Sequence, residues 1–105
     1  MNVLFVCSRN KWRSRTAETI FQDSQDHNFR SAGTENDARI KVNEKLINWA
    51  NLIFVMEKRH KLRLQDRFDQ LLNDKTIVIL DIEDNYQYMD EELILTLRTS
   101  VTPYL

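Results

Sequence analysis

Apolar residues recur along this chain in two alternating rhythms. Val3–Val6, Leu52–Met56 and Ile77–Leu80 are unbroken apolar runs, the pattern of strands buried on both faces of a parallel sheet. Phe29–Ala32, closed by Gly33, predicts a fourth strand, with Gly33 supplying a turn at positive φ. Between the runs the period lengthens. Ala17, Ile20 and Phe21 mark one helix face, Val42, Leu46 and Ala50 a second, Leu64, Phe68, Leu71 and Leu72 a third, and Met89, Leu93, Leu97 and Val101 a fourth. Strand and helix alternate throughout. That order predicts an α/β fold, a three-layer sandwich in which right-handed crossovers place helices on both faces of a four-stranded parallel sheet. Ligands bind such sheets at the carboxyl ends of the strands.

Composition narrows the picture. The chain has 105 residues, 42% hydrophobic and 30% charged, which is material for one core and no room for a second, so one domain over residues 1–105 is expected. There is no repeat, linker or low-complexity segment. The longest apolar runs hold four or five residues, far below the roughly 20 of a membrane span. Met1 leads almost directly into the first strand, without a basic start or a small-residue cleavage site, so no signal peptide and a cytoplasmic location are expected. A net charge of −1 argues against nucleic-acid binding through a broad basic field. The single cysteine excludes an internal disulfide, and no Cys or His stands at ligand spacing, so neither metal nor cofactor is expected. Charge is nonetheless sorted locally. Arg9, Lys11, Arg13 and Arg15 crowd one segment without an acid, whereas Asp81, Glu83, Asp84, Asp90, Glu91 and Glu92 crowd another without a base.

The basic segment carries the candidate chemistry. Cys7-Ser8-Arg9-Asn10-Lys11-Trp12-Arg13-Ser14 joins the first strand to the first helix. A loop at that position turns backbone N–H groups and the positive end of the helix dipole toward one point, an arrangement that binds phosphate. Arg13 adds a planar fork for two phosphate oxygens. Ser14 suits both the N-cap and a donor role toward sulfur. Thiols in such fields ionise readily, which makes Cys7 a candidate nucleophile. Ionisation multiplies the attacking species only about thirtyfold near neutral pH, so the larger share of any rate must come from Arg13 and the loop amides stabilising a transferring phosphoryl group.

Val3-Leu4-Phe5-Val6-Cys7, the loop residues Asn10, Arg13 and Ser14, and the following Thr16-Ala17-Glu18 resemble the low-molecular-weight protein tyrosine phosphatases, whose signature reads V-C-x-G-N-x-C-R-S-x-x-A-E. Ser31-Ala32-Gly33-Thr34 matches the S-A-G-T of that family, and Leu52–Met56 followed by Glu57 is similar to its third strand. The likeness extends over nearly the whole chain, particularly to a short bacterial branch of predicted protein tyrosine phosphatases. It implies the strand order 2-1-3-4, a cysteinyl-phosphate intermediate at Cys7 with Arg13 as its partner, and Ser8, Arg9, Asn10, Lys11, Trp12, Arg13 and Ser14 as the phosphate-binding loop. It also implies a general acid from a D-P-Y context on a late loop. Ile82-Glu83-Asp84-Asn85-Tyr86 stands nearest, with Asp84 as the expected acid and Asp81 as the alternative. The implied substrate is a phosphotyrosine protein or a small aryl phosphate.

Three positions depart from the signature. Arg9 replaces its glycine, and at a position requiring positive φ it would cost about 1–3 kcal/mol. Trp12 replaces its second cysteine and is expected to pack beneath the loop. Asn85 replaces the proline. A phosphate-binding module without turnover is therefore the alternative function, whereas arsenate reductases of related fold need further cysteines. Elsewhere, Tyr86 and Tyr88 are expected to be half-buried packing, Trp49 to be core, and Lys58, Arg59, His60, Lys61, Arg63 and Arg67 to form a solvated helix face. His27 and His60 have no partner at a usable spacing.

Overall fold

In the computed structural model, which describes all 105 residues, strand and helix alternate as the two rhythms require. The order is β1 (Asn2–Cys7), α1 (Arg13–Phe21), β2 (Asn28–Gly33), α2 (Glu44–Trp49), β3 (Leu52–Val55), α3 (Lys58–Phe68), β4 (Thr76–Ile79) and α4 (Glu91–Val101). The four strands form one parallel sheet in the order β2-β1-β3-β4.

Alternation along β1 sorts the core. Val3, Phe5 and Cys7 point to one face and pack with Ala17 and Phe21 of α1 and Leu93, Leu97 and Val101 of α4. Leu4 and Val6 point to the other, against Leu46 and Ile47 of α2 and Leu64 and Phe68 of α3. Phe5 is fully buried and stacks on Phe21, Phe29 and Phe54, a burial that contributes about 1.5–3 kcal/mol. No helix is long and apolar enough to cross a membrane.

Details differ from the periodic reading. Leu71 and Leu72 leave α3 for a 3-10 turn over Asp69–Leu72, whose tighter winding still buries Leu72. Met89 lies outside α4, at φ 62. The helix starts one residue after Asp90, whose carboxylate accepts from the amides of Glu92 and Leu93. Trp49 is half-buried rather than core, under the guanidinium of Arg30.

Gly33 is not a positive-φ turn. Its role is spatial. A Cβ there would lie 2.5 Å from the Ser8 carbonyl oxygen and 2.9 Å from the Arg9 carbonyl carbon, so only glycine lets the end of β2 pass this close to the loop after β1. Because β1 pairs with β2 on one side and β3 on the other, that loop sits where the chain direction across the sheet switches.

Candidate active site

The loop after Cys7 is shaped by where its carbonyls go. The carbonyl oxygens of Cys7, Ser8 and Arg9 accept from the amides of Thr34, Glu35 and Arg39 at 2.9–3.0 Å. That of Asn10 accepts from Arg39 Nε at 3.1 Å. All four are drawn outward onto the segment after β2. In a planar trans peptide the N–H points opposite to the C=O, so the amides of Ser8, Arg9, Asn10 and Lys11 are turned inward. The Asn10 amide donates to Cys7 Sγ at 3.3 Å. Those of Ser8, Arg9, Lys11 and Trp12 donate to no protein acceptor. A concave set of free amides is an anion nest.

Asn10 makes the reversal possible. It is fully buried and adopts φ 58, a left-handed conformation that asparagine tolerates better than most side chains. Its Nδ2 donates to Ser14 Oγ at 2.8 Å, and Ser14 Oγ lies 2.9 Å from Cys7 Sγ. Positive φ thus falls on Asn10 and not on Arg9, so the strain expected at Arg9 does not arise. Arg9 is exposed and faces Asp37 at 3.5 Å. Ser14 is not the helix N-cap, because α1 begins at Arg13 after Trp12 and the Ser14 hydroxyl is engaged beside the sulfur.

Arg13 is buried, with Nη1 held by Glu57 Oε2 at 3.0 Å and by the Ile82 carbonyl at 2.8 Å. Its Nε lies 3.6 Å from Asp84 Oδ1. Nη1 is thereby anchored, Nε faces the Asp84 carboxylate, and Nη2 has no protein acceptor and is left to the pocket. Burial alone would raise the Glu57 carboxyl, but hydrogen bonds from Arg13 and Arg59 hold it below its ordinary range.

Cys7, Ser8, Arg9, Lys11, Trp12, Arg13, Glu35, Arg59 and Asp84 line a pocket of about 280 Å³. Asp84 therefore reaches the site, whereas Asp81, at φ 56 in the same loop, is not part of its lining. Trp12 does not pack beneath the loop. It is 43% exposed and forms a wall of the pocket. Tyr86 is half-buried, and Tyr88 lies under Arg15 with its hydroxyl on Thr19; neither lines the pocket.

Several site residues were not found by spacing. Arg59, exposed as the solvated face requires, also lines the pocket. His60 is buried and has two partners, the Glu57 amide at Nδ1 and Ser8 Oγ at Nε2. Burial, with Arg13 and Arg59 nearby, pushes its pKa down to about 4. Glu57 and Arg39 were missed because they touch the loop only through the folded sheet edge. A capping pattern, Glu57 with His60 three residues on, was the one local sign of the His60 contact.

Fold and loop together define a class: the architecture is that of the low-molecular-weight protein tyrosine phosphatases, four parallel strands in the order 2-1-3-4. A low-molecular-weight protein tyrosine phosphatase from T. tengcongensis superposes with a TM-score of 0.76 at 22% identity, over 100% of this chain and 99% of its own. SP-PTP, a low-molecular-weight protein tyrosine phosphatase from Streptococcus pyogenes, gives 0.75 at 17% identity, over 99% and 90%. The YwlE arginine phosphatase from Geobacillus stearothermophilus gives 0.73 at 19% identity, over 96% and 86%. These similarities are of fold. No protein-family model and no curated protein sequence matches the chain.

Proposed function

We propose that this protein is a cysteine-dependent, metal-independent phosphatase acting on phosphotyrosine or a small aryl phosphate. The observation that carries the reading is the set of unpaired amides around Cys7, closed by the unpaired Nη2 of the buried Arg13. Three equatorial phosphoryl oxygens match such a nest, and donors fixed before substrate arrives stabilise transferring charge without reorganisation. Cys7 Sγ attacks phosphorus in line, an S–P bond forms and the P–O bond to the leaving group breaks. Asp84 gives its proton to the departing phenolate oxygen. The resulting carboxylate then takes a proton from water, the water oxygen attacks phosphorus, and the S–P bond breaks to release orthophosphate and the thiolate.

The pocket favours an aromatic ester. Trp12, exposed in the lining, supplies aromatic surface for a substrate ring. Arg9, Lys11, Arg13 and Arg59 outnumber Glu35 and Asp84 in the lining, a balance that attracts a phosphate monoester.

Hydrolysis of p-nitrophenyl phosphate by wild type and Cys7→Ser tests the reading. Wild type should turn over, Cys7→Ser should lose at least about a thousandfold in kcat, and phosphate should protect Cys7 from iodoacetate near pH 6. Phosphate binding by both proteins without turnover by either would instead make this a phospho-ligand binding module.

A further inference from the structure

His60 is a buried imidazole whose two ring nitrogens are both engaged, yet it lies outside the pocket lining. The Glu57 amide donates to Nδ1 at 3.1 Å. A backbone N–H can only donate, so Nδ1 carries no proton and the neutral ring must carry its proton on Nε2. Nε2 lies 3.0 Å from Ser8 Oγ and therefore donates to it. A serine hydroxyl has one proton and two lone pairs. With a lone pair taken by His60, the Ser8 proton is left for another acceptor, and Ser8 lines the pocket. With the opposite tautomer the Ser8 hydroxyl would instead donate to Nε2, leaving no proton for the pocket.

We propose that His60 is a positioning residue that fixes the Ser8 hydroxyl as a donor toward the phosphate held in the nest, an inference that rests on the phosphate-binding reading of this site. The α3 N-terminus thereby reaches the ligand through one side chain of the loop. The neutrality this requires agrees with the burial of the ring and with the nearby Arg13 and Arg59, which hold its pKa near 4.

Two measurements test it. Ring ¹⁵N shifts of wild type at pH 7 should show the Nε2–H tautomer. Calorimetric titration with inorganic phosphate should then show about tenfold weaker binding for His60→Asn, whose short amide can meet the Glu57 N–H but cannot reach Ser8. His60→Gln, whose amide N–H reaches Ser8, should recover most of that loss. In a Ser8→Ala background, His60→Asn should add nothing. An Nδ1–H tautomer, or an equal loss with and without the Ser8 hydroxyl, overturns the proposal while leaving the site reading intact. The spectrum decides even where a variant fails to fold. Wild type that binds no phosphate removes the site reading, and this proposal with it.

Discussion

Arg13 ties three parts of the chain to one guanidinium. Glu57 and the Ile82 carbonyl hold Nη1, and Asp84 stands 3.6 Å from Nε. Asp84 lines the pocket and Asp81 does not, a difference of position that six acids within twelve residues left open in the sequence. Removing the proposed proton donor should be felt most where the leaving group is poor. Asp84→Asn is expected to lower kcat for phenyl phosphate by about 10² to 10⁴ and to matter much less for an activated ester. Asp81→Asn should leave both nearly unchanged. A plot of rate against leaving-group pKa for the three proteins checks this, and equal slopes for wild type and Asp84→Asn would remove Asp84 from the role.

The strand-to-helix connection after β1 depends on the end of β2 and the segment that follows it as well as on its own residues. Its carbonyls are drawn outward by Thr34, Glu35 and Arg39, and Gly33 leaves space for the approach. Gly33→Ala is expected to cost on the order of 1–3 kcal/mol through overpacking against backbone. It should also weaken phosphate binding, because the loop amides lose their alignment. Urea midpoints and phosphate titration check the two effects together; an unchanged midpoint would mean that the loop can retreat freely. The sequence made the elements legible because apolar runs and helical spacing are local signals. It made Cys7, Arg13 and Ser14 legible because loop chemistry is written in adjacent residues. Arg39, Glu57 and His60 were not legible, since their contacts with Asn10, Arg13 and Ser8 cross 29 to 52 positions and follow only from the strand order; Arg59 reaches the pocket beside Glu57. Arg9 and Trp12 were misread for a related reason. Aligning Arg9 with the glycine of a signature placed the positive φ one residue early, on Arg9 instead of Asn10, and reading Trp12 from its hydrophobicity missed that the loop turns it outward.

At the scale of the molecule, the buried imidazole couples the site to acid stability. The unfolded chain protonates His60 near pH 6.5, whereas the folded chain resists until about 4. Stability from this group is therefore level above about pH 6.5 and falls as pH drops through the window to 4. Glu57, held low, adds a loss in the same direction below its ordinary value of 4.5. Urea unfolding should show about 2 kcal/mol lower stability at pH 5 than at pH 7, and His60→Gln should flatten that difference. An unchanged slope in the variant would assign the acid sensitivity to other groups. The two tryptophans occupy opposite ends of the sheet. Trp12 stands in the pocket wall beyond the last residue of β1, while the Trp49 carbonyl is bonded to Asn2 at its first. With Trp49 replaced by phenylalanine, emission excited at wavelengths that only tryptophan absorbs would come from the pocket wall alone, so that quenching would follow occupancy in real time without any attached dye.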